Sequence, residues 1–190
     1  MSIEIHGKIG CPFAWRTRIS ARLKGVAFDW LPHDADAPDA RSAAHNPDKK
    51  SPLLYDDGFT LVESTVITQY IDESREGRAL QPGDVKDRAK QRVALIEVAA
   101  LMVSPPHVPS PPDLDKKMND AQAALEKRLA DGRRFVDGDE PALVDVHVWP
   151  ALALQASRNI AIPAEHAKVR AYWDRAKAHE AYGFTKPPWG

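Results

Sequence analysis

The hydrophobic pattern of this chain changes character once. Strand-like and helix-like segments alternate through roughly the first eighty residues, and beyond Asp84 only helical periodicity remains. Ile3-Glu4-Ile5-His6 alternates with period two, and Gly7 to Gly10 reads as a loop. From Pro12 to Lys24 the side chains Trp15, Ile19 and Leu23 recur at helical spacing, and Gly25 closes the segment. Val26 to Leu31 is a second short strand, and residues 34–44 form a weak, alanine-rich helix before Asn46-Pro47. Pro52 to Tyr55 and Phe59 to Val62 then flank Asp57-Gly58, the strongest short-range hairpin signal a sequence offers. Ser64 can cap a following helix that carries Val66, Ile67, Tyr70 and Ile71 on one side. The order β-α-β-α-β-β-α demands a mixed sheet packed by helices.

The polar stretch Arg75 to Gly83 reads as a linker. Past it, Asp84 caps a helix with Val85, Ala89, Val93, Ile96 and Ala100 in phase. Ser104 to Pro112 holds five prolines in nine residues, which no helix survives. Leu114, Met118, Ala121, Leu125 and Leu129 mark an amphipathic helix ending at Gly132. Leu143 to Leu154 is apolar nearly all round, so it belongs at the centre of a second domain, with a bend expected at Pro150. Glu165 to Lys177 forms a last helix before an irregular tail. The boundaries that follow are residues 1–76 for an α/β domain, 77–83 for the linker and 84–190 for an all-helical domain.

Composition excludes several classes. With 26 Lys+Arg against 27 Asp+Glu the net charge is -1, so no global basic field exists for nucleic acid or an anionic membrane. No stretch approaches the ~20 apolar residues of a spanning helix, and no signal-peptide pattern opens the sequence. The seven histidines show no metal-ligand spacing; His147 reads as a core residue and His107 as a surface one. A single cysteine rules out an intramolecular disulfide and suits a reducing cytoplasm.

That cysteine is the candidate reactive group. Cys11 follows a loop and precedes Pro12, and proline is pre-set for the first helical position. Cys11 therefore stands at or beside the helix N-cap, where free N–H groups and partial positive charge favour a thiolate. Arg16 and Arg18, within the next two turns, add to that field. A thiolate there can attack a disulfide or an activated thioether. Residue type alone also allows an inert buried thiol. There is no C-x-x-C, since Ala14 stands third after Cys11, so a mixed disulfide at Cys11 has to be released by an external thiol.

These residues resemble a known family. Cys11-Pro12-Phe13-Ala14 with Arg16-Thr17-Arg18 and Lys24-Gly25 is similar to the active-site helix of cysteine-type glutathione S-transferases, omega-like in particular, and Trp15-Arg16 with Arg18-Ile19 resembles zeta-type enzymes as well. Asn46-Pro47 and Ser51-Pro52-Leu53-Leu54 resemble the superfamily's asparagine-proline stretch and cis-proline strand. Glu63-Ser64 matches its glutathione-binding pair, and Asp139 to Leu152 its central helix. The resemblance implies a thioredoxin-like N-terminal domain followed by a helical C-terminal domain with shortened first helices.

It also implies a ligand, glutathione, and a homodimer. By resemblance, glutathione contacts Phe13, Lys50, Ser51, Pro52, Glu63 and Ser64. Glu63 would pair the γ-glutamyl ammonium, Ser64 at a helix start would hold the adjacent carboxylate, and Lys50 the glycyl carboxylate. Ser51 would use its backbone on the cysteinyl part, with Pro52 cis. The implied function is thiol transfer or deglutathionylation at Cys11, with no metal. Conjugation or isomerisation of a small electrophile, and a non-catalytic glutathione-binding protein, are the alternatives. The chain departs from the pattern in three places. Ala142 replaces the usual Ser or Thr cap, leaving Asp145 as half a capping box, a loss of ~1 kcal/mol. Ser51 stands where a branched apolar residue is usual. The proline-rich segment interrupts helices that wall the electrophile site, which predicts an open one; Trp189 is a candidate cover for it.

Overall fold

Asp57 (φ 47°) and Gly58 (φ 87°) both take positive φ, the conformation of a tight hairpin turn. They join β3 (Leu53–Asp56) to β4 (Phe59–Val62). β1 (Ile3–Lys8) lies between β3, antiparallel to it, and β2 (Phe28–His33), parallel to it, giving a four-stranded sheet in the order β2-β1-β3-β4. The parallel pair requires a crossover, which α1 (Pro12–Lys24) supplies. The structure is a computed structural model that describes residues 2–33, 44, 46–104 and 109–189. The helix expected over residues 34–44 lies outside the described residues except for Ala44, and His107 lies outside them too.

The first unit comprises residues up to Leu80 together with Thr185–Pro188. Its core joins Ile3, Ile5 and Leu54 of the sheet to Ala21 of α1 and to Ile67 and Ile71 of α2 (Ser64–Ser74). Each fully buried Ile or Leu contributes roughly 1.5–3 kcal/mol. Of the face expected on α2, Ile67 and Ile71 are buried but Val66 is 48 % exposed. A buried ion pair, Lys24 Nζ to Asp72 Oδ1 at 2.9 Å, ties α1 to α2, and Asp72 Oδ1 also accepts the Leu80 N–H at 2.8 Å. Gly77 (φ 124°) closes this corner, where a Cβ would sit 2.3 Å from the Lys24 carbonyl oxygen. Only glycine fits there. Trp15, fully buried, donates from Nε1 to the Thr185 hydroxyl oxygen at 2.9 Å.

The second unit, Gln81–Phe184 with Trp189 and Gly190, is helical. It contains α3 (Val85–Val98), a single 3₁₀ turn (Ala99–Leu101), α4 (Leu114–Arg128), α5 (Leu143–Ser157), α6 (Ala167–Ala178) and all but the last residue of the short α7 (Glu180–Thr185). Asp84 caps α3 as expected, accepting the N–H groups of Lys86 and Asp87. The buried side of α3 is a surprise. Gln91, Ala94, Leu95 and Val98 face the interior, whereas Val85, Val93 and Ile96 are 65 %, 55 % and 76 % exposed. α5 runs buried through the unit with Pro150 inside it. Ala142 at its N-cap has no acceptor, and only Asp145 reaches back, taking the Ala142 N–H on Oδ2 at 2.9 Å. Trp189 packs with Met102, Leu114 and Ile160 onto Val103, Met118 and Leu154, as part of this unit's core.

Candidate functional site

Every residue singled out for glutathione lies in the first unit, and the fold brings them into two adjoining groups. The first is built on the β1–α1 turn. Cys11 is the N-cap of α1 (φ -70°, ψ 120°), Pro12 takes the first helical position, and no side chain caps the helix. The Cys11 N–H donates to the Lys8 carbonyl oxygen at 3.1 Å and its own carbonyl accepts the Trp15 N–H at 3.0 Å. The half-buried thiol of Cys11 points to the Ser51 carbonyl oxygen, 3.6 Å from Sγ.

Ser51 explains its own departure from the family pattern. Its hydroxyl oxygen accepts the Lys8 N–H at 2.9 Å, tying the strand before Pro52 to the end of β1. The Ser51-Pro52 bond is cis. Gly7 allows this closeness. A Cβ on it would lie 2.8 Å from Ala14 Cβ, 3.0 Å from Ser51 Oγ and 3.1 Å from the Trp30 ring. The sheet, the helix and the Ser51 strand therefore meet at a glycine, directly below the cysteine's turn.

The second group surrounds Glu63, which departs from the expected arrangement. Glu63 rather than Ser64 is the N-cap of α2, and Ser64 is the first helical residue. Glu63 has φ 70° and ψ 99°, a conformation costing of order 1–3 kcal/mol that is found at sites where side-chain placement matters. Its carbonyl accepts the N–H groups of Val66 and Ile67, both at 2.9 Å. Among the described residues the Ser64 N–H and hydroxyl form no hydrogen bond, which leaves the positive end of α2 open to an anion. Lys50 Nζ and Glu63 Oε1 lie 2.6 Å apart at the surface, so the two expected ligand-binding charges face each other. The Glu63 hydrogen bond raises the Lys50 pKa above its ordinary value.

Asn46 holds Lys50 in place and was not assigned a role from sequence. Its buried side chain accepts the Lys50 N–H on Oδ1 at 2.9 Å and donates from Nδ2 to the Lys50 carbonyl at 2.5 Å, closing the loop over Pro47 to Lys49. The Asn-Pro pair is the signal that marks such a turn. Phe13, 40 % exposed, lies beside Cys11 on the outer side of α1, with the Arg16 guanidinium 4.9 Å from its ring centre. Arg18 stacks on Trp30 at 4.2 Å. Among the described residues no cluster of His, Cys, Asp and Glu is arranged to hold a metal ion, and no helix is long and apolar enough to cross a membrane. In the second unit a cavity of about 510 Å³ lies between the end of α3 and the start of α4, lined by Met102, Val103, Pro111, Leu114 and Met118.

The site thus sets an exposed cation and an exposed carboxylate beside the open start of α2, and a thiol beside the Ser51 carbonyl. Residues 5–79 match the family model of the glutathione S-transferase N-terminal domain, and residues 94–180 that of its C-terminal domain. Glutathione transferase GST 23 of Zea mays is 30 % identical over 153 residues, covering 77 % of this chain and 69 % of the maize protein. Glutathione S-transferase omega-1 of Mus musculus is 25 % identical over 158 residues, covering 78 % and 65 %. Among solved structures, a glutathione S-transferase from the Antarctic clam Laternula elliptica superposes with a TM-score of 0.85 at 19 % identity, covering 100 % of this chain and 94 % of the clam protein.

Proposed function

The chain belongs to the glutathione S-transferase family, and from that premise we propose that it is a glutathione-dependent thiol transferase whose reacting group is Cys11. The observation that carries this reading is the place of Cys11: the sole cysteine, half-buried, at the open N-terminus of α1, with its sulfur 3.6 Å from the Ser51 carbonyl. A serine or tyrosine in that position would only polarise the glutathione thiol. A cysteine can also exchange into a disulfide of glutathione and hold its sulfur covalently.

The Cys11 thiolate attacks the glutathione sulfur of a mixed disulfide between glutathione and a second thiol. A Cys11–glutathione disulfide forms, and the second thiol leaves as its thiolate and takes a proton from water. A further glutathione thiolate then attacks the glutathione sulfur held on Cys11. Oxidised glutathione leaves and the Cys11 thiolate returns. With one cysteine in the chain, an external thiol has to perform this second step.

Glutathione binds by exchange of partners. Lys50 leaves Glu63 for the glycyl carboxylate, and Glu63 takes the γ-glutamyl ammonium. The pair it replaces is exposed and screened, so opening it costs little. The γ-glutamyl carboxylate sits on the Ser64 N–H and hydroxyl at the start of α2. Phe13, Ser51 and Pro52 flank the cysteinyl part. The exposed apolar row on α3, Val85, Val93 and Ile96 with Ala89 and Ala100, supports a homodimer that buries it. A free, reactive thiol suits the cytoplasm. The test is the mass of the protein after exposure to oxidised glutathione: an adduct on Cys11 supports the reading, and its absence counts against it.

A further inference from the structure

The second unit carries a cavity that shares no residue with the candidate glutathione site. Its volume is about 430 Å³, and it opens among the end of α5, the turn that follows and one face of α6. That size suits a small organic molecule. Leu152, Ile160, Ile162 and Trp173 supply its apolar walls. The turn is held in place by its own backbone. Asn159 takes φ 60°, its N–H donates to the Ala156 carbonyl oxygen, and the Ile160 N–H donates to the Gln155 carbonyl oxygen, both at 3.0 Å. This left-handed closure satisfies two of the last carbonyls of α5, so the helix end brings few free acceptors to the cavity.

The polar groups at the cavity are out of balance. α6 carries four cations, and three of them have partners. Lys168 pairs with Glu126 at 3.4 Å, Lys177 pairs with Asp174 at 2.9 Å, and the Arg175 guanidinium donates to the Arg134 carbonyl oxygen at 2.9 and 3.1 Å. Arg170, the one of the four that lines the cavity, makes no hydrogen bond or ion pair through its guanidinium among the described residues. The Asn159 amide and the indole N–H of Trp173, a residue only 9 % exposed, have no partner among them either. The carboxylate on the lining, Asp174, is already held by Lys177. Donors therefore exceed acceptors. A purely apolar ligand would cover these donors and leave them unpaired, which costs free energy. A carboxylate answers them, and the planar fork of an arginine matches its two oxygens.

We propose that this cavity is a second binding site, for a small organic acid: a flat apolar body lies against Leu152, Ile162 and Trp173, and its carboxylate pairs with Arg170. The site depends neither on Cys11 nor on glutathione.

Titration calorimetry of the full chain with naphthoate and with its uncharged amide, naphthamide, tests this. Glutathione is kept at saturation throughout, so that the first-unit site is filled. Native protein is expected to bind naphthoate roughly tenfold more tightly than naphthamide. Arg170→Met should erase that preference. Ala156→Trp, which fills the cavity from an exposed position on α5, should abolish naphthoate binding. Circular dichroism establishes that each variant is folded. No naphthoate binding at millimolar concentration, or equal affinity for acid and amide, overturns the proposal in the native protein alone. Naphthoate affinity that survives unchanged in either folded variant overturns it as well, because the acid would then lie elsewhere on the protein.

Discussion

Cys11 and Ser51, forty residues apart in the chain, are joined twice: Cys11 Sγ faces the Ser51 carbonyl oxygen at 3.6 Å, and the Ser51 hydroxyl accepts the N–H of Lys8, the residue that also receives the Cys11 N–H. The backbone of Ser51 thus serves the site and its side chain serves the frame. Ser51→Ala removes the second function alone. The Lys8 N–H loses its acceptor, and we expect a stability loss of about 1 kcal/mol in urea unfolding, with glutathione affinity left close to the native value. A large loss of affinity at native stability would show that the hydroxyl, not the backbone, meets the ligand.

Gly7 and Gly83 form a controlled pair. A Cβ at Gly7 meets Ala14, Ser51 and Trp30 at 2.8 to 3.1 Å, whereas a Cβ at Gly83 meets nothing within 4 Å. Gly7→Ala overpacks the point where sheet, helix and Ser51 strand converge and is expected to cost 1–3 kcal/mol, roughly, with slower Cys11 alkylation as α1 is pushed outward. Gly83→Ala should leave both measurements unchanged. Equal behaviour of the two variants in urea unfolding contradicts the packing described here.

Asp145 makes stability depend on pH in an unusual direction. Its carboxyl is fully buried, accepting the Val136 N–H, the Ala142 N–H and the Tyr172 hydroxyl; burial, with a smaller push from Asp137, outweighs these bonds and raises its pKa from 3.8 to about 7. The folded state therefore binds this proton more tightly than the unfolded chain does. Its contribution is therefore fully present below about pH 4 and is lost as pH rises through about 7, at up to ~1.4 kcal/mol per pH unit. Urea midpoints at pH 5, 6, 7 and 8 should fall across that range in the native protein and stay flatter in Asp145→Asn. A native stability that rises from pH 5 to 8 contradicts this.

The apolar row on α3 predicts an association state. Ile96, at 76 % exposure the most exposed of the row, is the position to charge. Sedimentation equilibrium should give a native dimer and a folded monomer for Ile96→Glu. A native monomer at tens of micromolar protein, or an undisturbed dimer in the variant, removes that face as the interface.

That same row shows where sequence reading stops. Val85, Val93 and Ile96 do repeat at helical spacing, and the helix they predicted is there, but periodicity says only that one face is apolar. It does not say what covers it, and within the chain Ala94, Leu95 and Val98 took the inward side. The hairpin at Asp57-Gly58 and the helix after Pro12 were legible because their causes are local: positive φ at two turn residues, and a proline at the first helical position. Glu63 and Ser64 were legible as a pair but not in their order at the cap, which turns on the φ of 70° that Glu63 adopts. The Ser51–Lys8 bond and the stacking of Arg18 on Trp30 depend on strand register and burial across many residues, and nothing local in the sequence encodes them.

The central claim is that Cys11 itself bonds to glutathione, and intact-mass measurement tests it most directly. Native protein incubated with oxidised glutathione is expected to gain one glutathionyl group, located on Cys11, and to lose it on addition of reduced glutathione; Cys11→Ala should gain nothing and lack disulfide reductase activity. Native protein that gains no mass, while glutathione-conjugating activity survives in Cys11→Ala, would contradict the account and make Cys11 a bystander to transfer chemistry.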